Sequence, residues 1–73
     1  MNTYKVEYSY IREDGRRMYE TDITMAGSAA QAAAIILSEV KEMLSEYEGL
    51  SEPRIEQVWI DMGRAWELRE FEF

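Results

Sequence analysis

The sequence predicts an α+β fold in which two β-hairpins flank a single amphipathic helix. Residues 3–26 alternate in polarity around an Asp-Gly pair, and residues 54–72 alternate again around a Met-Gly pair. Between them, residues 29–47 repeat apolar side chains at helical spacing. The predicted order is ββαββ, a four-stranded antiparallel sheet with the helix on one face. A length of 73 residues limits the chain to one domain.

The first hairpin is predicted from the register that its turn allows. If Asp14 and Gly15 are the two central turn residues, positions whose numbers sum to 29 face each other. The face under the helix then carries the pairs Tyr4–Met25, Val6–Ile23, Tyr8–Thr21 and Tyr10–Tyr19. The open face carries the pairs Ile11–Met18, Ser9–Glu20, Glu7–Asp22 and Lys5–Thr24.

The helix is predicted from Ala29 to Tyr47. Ser28 and Gln31 have the spacing of a capping box, and Gly49 is the residue expected just past the helix end. One stripe of the helix is predicted to face the sheet: Ala29, Ala33, Ile36, Val40, Met43, Leu44 and Tyr47.

The second hairpin leaves two registers open around Met62 and Gly63. An odd loop gathers four apolar residues, Val58, Ile60, Trp66 and Leu68, on one face and puts Trp59 on the other. An even loop sets Trp59 opposite Trp66 instead. We favour the odd loop because it concentrates apolar area on one face. The apolar residues at the two ends of this hairpin then require a bulge near residues 56–57 or 69–70. For the whole sheet we predict the strand order 2-1-3-4, which makes every neighbouring pair antiparallel.

Composition excludes most kinds of catalysis. The chain has no Cys and no His, so thiolate and imidazole chemistry and the soft metal sites are ruled out. The glycines stand singly, so no phosphate-binding loop exists, and we expect a non-enzymatic protein without metal or cofactor. Glu7, Glu20 and Asp22 share the predicted open face, where a carboxylate hydrolase or a hard-cation site is the lesser alternative to a solvated surface.

Charge and hydropathy indicate the setting. The net charge of −7 disfavours direct binding to nucleic acid or to an anionic membrane. No signal peptide and no membrane span is recognisable, so we expect a cytoplasmic protein. Residues 38–73 hold 10 of the 15 acidic side chains, which concentrates the charge in the second half.

Two surfaces are candidates for binding. Glu39, Glu42 and Glu46 form a stripe on the helix, which Glu48 and Glu52 continue. Like charges four residues apart, near the negative end of the helix dipole, are locally unfavourable. This cost favours a function for the stripe as a docking surface for a basic patch, and the alternative is a solubilising face. On the open sheet face, the expected interface residues are Trp59, Ile11, Met18 and Phe71 among Glu7, Glu20, Asp22, Glu67 and Arg69.

The chain resembles the small acidic accessory proteins of bacteriophages and other mobile elements. Anti-CRISPR proteins and phage inhibitors of host enzymes are examples. The resemblance rests on size, on the hairpin–helix–hairpin layout, on the absence of Cys and His, and on the acidic run from Glu39 to Glu52. The resemblance implies that the protein binds a host protein, such as a CRISPR–Cas component. It would occupy that protein's nucleic-acid-binding groove or block a contact between its subunits.

The leading hypothesis is therefore an inhibitor that docks on a basic surface of a host protein. The expected partner-binding residues are Glu39, Glu42, Glu46, Glu48, Trp59, Glu7, Glu20 and Asp22. The alternative is a self-associating module that forms a homodimer through the open sheet face or through edge strands.

Overall fold

A computed structural model describes residues 1–72 of the chain and contains one sheet and one helix. The elements are β1 (Asn2–Ile11), β2 (Arg17–Ala26), α1 (Ala29–Ser45), β3 (Ser51–Asp61) and β4 (Trp66–Arg69). The strands form an open sheet in the order β2-β1-β3-β4, and every neighbouring pair is antiparallel. The helix packs on one face of the sheet. The predicted α+β fold and strand order are confirmed.

The core lies between α1 and the two central strands. Tyr4 and Val6 of β1 and Val58 of β3 are buried beneath the helix. The helix contributes its own buried stripe of Ala32, Ala33, Ile36, Val40 and Leu44. Most of the predicted stripe is confirmed, but Tyr47 is exposed because the helix ends at Ser45.

Side-chain hydrogen bonds define where the helix begins. The Gln31 backbone N–H donates to the hydroxyl of Ser28 at 3.1 Å, which satisfies one of the free donors of the first turn. The Gln31 side-chain oxygen in turn accepts from the backbone N–H of Gly27. The predicted cap is confirmed, with the reciprocal bond one residue earlier than in the usual capping box.

The first hairpin closes with a different register from the predicted one. Arg12 donates to the carbonyl of Arg16 at 2.8 Å, and Gly15 has a φ of +84°, so the loop is Glu13-Asp14-Gly15. This is the three-residue loop in which a turn is followed by a left-handed glycine. Facing positions therefore sum to 28, as in the pair Lys5–Ile23.

This single-residue difference reverses the faces of β2. The side chains of β2 that were predicted to lie under the helix point to the open face instead: Tyr19, Thr21, Ile23 and Met25. The predicted open-face residues Met18, Glu20 and Asp22 lie on the helix side. The prediction was wrong because an Asp-Gly pair can occupy either loop, and side chains alternate strictly along a strand.

The second hairpin uses the even loop. The Met62 backbone N–H donates to the Ala65 carbonyl at 3.0 Å, which leaves Gly63 and Arg64 as the two turn residues. Gly63 has a φ of +88°, as the first central residue of a type II′ turn requires. The favoured odd register is therefore wrong, and Trp66 and Leu68 share the open face with Trp59. Trp59 faces Leu68, however, and not Trp66 as the even alternative had it, because Trp66 pairs with Asp61. The bulge predicted at residues 56–57 is confirmed by the register shift opposite Glu7 and Tyr8.

Candidate functional site

The open sheet face is the first candidate surface. A row of side chains crosses all four strands, with Lys5 of β1 and Trp59 of β3 at its centre. Ile23 of β2 lies at one end of the row and Leu68 of β4 at the other. Of the predicted site residues, Trp59 and Glu7 are therefore on this face.

Lys5 is held between the two indole rings of this face. Its ammonium nitrogen lies 4.8 Å from the ring centre of Trp59 and 5.1 Å from that of Trp66. Both distances are within the range of cation–π attraction. The two hairpins are thereby linked across the open face, and the half-buried lysine covers part of the aromatic area.

The outer strands carry exposed apolar side chains on the same face. Four of these side chains are more than half exposed: Tyr19 (56%), Ile23 (57%), Met25 (58%) and Leu68 (55%). A fifth, Trp66, is 37% exposed. Sequence reasoning assigned all of them to the core. A three-residue first loop, Glu13-Asp14-Gly15, together with an even second loop, would have predicted these side chains on the open face.

A polar network closes one end of the open face. The hydroxyl of Ser9, which is fully buried, donates to Glu56 at 2.6 Å and accepts from Arg17 at 2.8 Å. Arg54 also pairs with Glu56. The hydrogen bonds from Ser9 and Arg54 hold the pKa of Glu56 below its ordinary value, so this carboxylate is charged and satisfied.

An acidic surface on the helix side is the second candidate. Glu39 and Glu42 of α1 and the C-cap residue Glu46 are exposed as predicted, and so are Glu20 and Asp22 of β2. We call these five residues the acidic surface. Glu48 is exposed beyond the helix, and Glu52 contacts Arg17 at 3.9 Å.

The two elements turn their carboxylates to the same side of the molecule. Ala30 lines a shallow depression with residues 70–72, which follow β4. Glu39 is nine residues from Ala30, which is two and a half helical turns, so it lies on the opposite flank. That flank faces β2, the strand at the other edge of the sheet, which carries Glu20 and Asp22.

Glu20 is anchored by two tyrosines. The hydroxyl of Tyr8 donates to a carboxylate oxygen of Glu20 at 3.1 Å, and the hydroxyl of Tyr10 approaches the same oxygen at 3.4 Å. The two rings are stacked, with centroids 6.5 Å apart. This contact orders the Glu20 carboxylate above β1 and β2 on the helix side of the sheet.

We expect Tyr8 to resist ionisation. Burial, the charge of Glu20 and the hydrogen bond to Glu20 raise the pKa of Tyr8 from 10.0 to about 12. In the unfolded chain the Tyr8 hydroxyl ionises near its ordinary pKa of 10.0. The interactions that keep this hydroxyl neutral in the folded chain therefore stabilise the fold fully below about pH 10, and this stabilisation is lost as pH rises toward about 12. NMR titration should show Tyr8 ionising at the higher value, and Glu20→Gln should lower it. An unchanged pKa of Tyr8 in Glu20→Gln would mean that Glu20 does not cause the shift.

The carboxylate cluster considered for hydrolysis or cation binding does not form. Glu7 lies on the open face, whereas Glu20 and Asp22 lie on the helix side of the sheet. Within residues 1–72, no three acidic side chains are arranged to hold a metal ion. Glu67 and Arg69 also belong to the helix side, and Phe71 packs against the core rather than on the open face.

Comparison with known proteins finds no matching family model, no matching curated protein and no matching solved structure. No helix within residues 1–72 combines the length and the apolar character needed to cross a bilayer.

Proposed function

We propose that the protein is a non-enzymatic binding module whose acidic surface docks on a basic surface of another protein. The observation that carries this proposal is the exposure of five carboxylates on the helix side of the sheet, two on β2 and three on α1 and its C-cap. Among residues 1–72, no lysine or arginine forms an ion pair with any of the five. A basic partner would supply the cations that the chain itself does not provide.

Local energetics support a functional reason for this arrangement. Glu42 and Glu46 are one helical turn apart, and like charges at this spacing cost a few tenths of a kcal/mol. The last turn of α1 contains no basic residue, although cations are the favoured residues at the negative end of a helix. A basic partner relieves both of these unfavourable terms and is drawn toward the surface by its field.

Inhibition is the proposed outcome of this binding. A basic groove that binds a nucleic-acid backbone recognises a run of negative charges, and a row of carboxylates presents the same charge. A protein whose acidic surface occupies such a groove competes with the nucleic acid.

Charge reversal of the helix stripe is expected to weaken binding at least tenfold. The triple variant Glu39→Lys, Glu42→Lys, Glu46→Lys should lose at least tenfold in affinity for a partner captured from bacterial lysate near physiological salt. Charged pairs that are desolvated in an interface contribute energies well above this threshold. Capture with the tagged protein, read by mass spectrometry and followed by titration with the purified partner, measures the loss.

A matched control changes the same charge elsewhere. Glu67→Lys, Glu70→Lys, Glu72→Lys alters the net charge by the same amount on β4 and the segment after it, and should keep binding. Affinity should also fall steeply as salt is raised. Equal loss in both triple variants, or salt-independent binding that survives the helix variant, would contradict the proposal.

A further inference from the structure

The open sheet face has the size and apolar content of an interface. Five large apolar side chains, Tyr19, Ile23, Met25, Trp66 and Leu68, are exposed there around half-buried Trp59. A monomer seldom exposes an apolar surface of this extent without a binding role. The helix cannot cover it, because α1 lies on the opposite side of the sheet.

The charge of the face indicates what covers it. The strands place on this face three basic side chains, Lys5, Arg17 and Arg54, and three acidic ones, Glu7, Glu56 and Asp61. Within the four strands its net charge is 0, and it is −2 when Glu52 and Glu70 at its border are counted, in a chain of net charge −7. Two copies can therefore bring these faces together with little net repulsion, while the acidic surfaces remain in water.

We propose that the open sheet face binds a second copy of this chain, forming a face-to-face homodimer with two-fold symmetry. Lys5 and Glu7 are two residues apart on the central part of β1 and point to the same face. A two-fold axis that crosses β1 at Val6 brings Lys5 of each copy opposite Glu7 of the other. Such self-complementarity is what an isologous interface requires.

The available area is sufficient for this dimer. Strands of 10, 10, 11 and 4 residues, spaced about 4.8 Å apart and rising about 3.3 Å per residue, present roughly 550 Å² of flat area. Two such faces bury roughly 1,100 Å² in total, which exceeds the area of about 1,000 Å² that a specific interface should bury. Stacked sheets in proteins pack about 10 Å apart through side chains of this size.

The dimer presents two acidic surfaces. Each copy turns α1 and the helix-side residues of β2 away from the shared interface, so the assembly offers two docking sites for basic partners. Dimerisation does not depend on the proposed function, because the two surfaces share no residue.

Sedimentation velocity on the full chain tests the proposal. At tens of micromolar the protein should sediment as a dimer, and Ile23→Glu should weaken dimerisation at least tenfold. Ile23 is 57% exposed, so the substitution leaves the core untouched. The matched control is Tyr47→Glu, since Tyr47 is 58% exposed but follows α1 on the other side of the sheet. It should remain a dimer.

A charge exchange tests the symmetry. Lys5→Glu alone should weaken the dimer because each Glu7 then faces a carboxylate of the other copy, and the double variant Lys5→Glu, Glu7→Lys should restore it. Circular dichroism establishes that each variant is folded. A monomeric wild type, or a dimer that persists in Ile23→Glu through pairing of edge strands, would overturn the proposal. The triple lysine variant of the helix stripe should still dimerise, so the two proposals can fail separately.

Discussion

Replacing Ile36 with alanine should lower the free energy of unfolding by about 3 kcal/mol. Ile36 is 1% exposed and is among the largest fully buried side chains of the core. Removing buried methylene groups costs their transfer energy together with the energy of the cavity left behind, about 2–5 kcal/mol for this change. Total stability is about 5–15 kcal/mol for ordinary domains, so the variant loses a large share of it. Urea denaturation followed by circular dichroism measures the difference.

The same substitution at Ile23 is the matched control. Ile23→Ala removes the same atoms from a side chain that is 57% exposed on the open face. At protein concentrations that keep the chain monomeric, its cost should stay below about 1 kcal/mol, the range of strand propensities. Equal costs at the two positions would show that the helix does not cover the face of the sheet described above.

Replacing Gly49 with alanine should be the most damaging change at any turn, with a cost of about 3 kcal/mol. Gly49 has a φ of +83°, a conformation that costs an L-residue about 1–2 kcal/mol. A Cβ atom at this position would also lie 2.6 Å from Cβ of Glu13, in the loop between β1 and β2. The two effects add because one concerns the backbone and the other a steric clash.

Two variants separate these effects. Gly63 has a φ of +88° with open space around it, so Gly63→Ala should show the backbone cost alone, about 1–2 kcal/mol. In the Gly49→Ala background, Glu13→Gly removes the clashing atom and should recover the excess. If Gly49→Ala and Gly63→Ala were equally destabilising, the contact between the helix end and the first hairpin would be absent in solution.

The structure divides the molecule into two chemically different sides. The helix side carries the acidic surface, and the open face carries Trp59, Trp66 and a nearly balanced set of charges. The two proposed interactions, with a basic partner and with a second copy, require this separation. In such a dimer the carboxylates would stay hydrated while the apolar faces are buried.

The elements could be predicted from the sequence because they depend on neighbouring residues. The helix from Ala29, its cap at Ser28 and the exposed glutamates follow from spacing along the chain, and so do the four strands. The strand order 2-1-3-4 was predicted because it keeps every neighbouring pair antiparallel, and the structure has this order. The acidic stripe was visible for the same reason.

The faces of β2 and β4 were decided only by the tertiary structure. Both errors arose in the turns, where Gly15 and Gly63 adopt positive φ and set the loop length. A shift of one residue moves every side chain of a strand to the other face, so a local ambiguity changed the whole open surface. Sequence pattern favours the register with more buried apolar residues, whereas the folded chain leaves Ile23, Met25 and Leu68 exposed. One helix can cover only one face of the sheet, and the turn conformations determine which residues remain on the other.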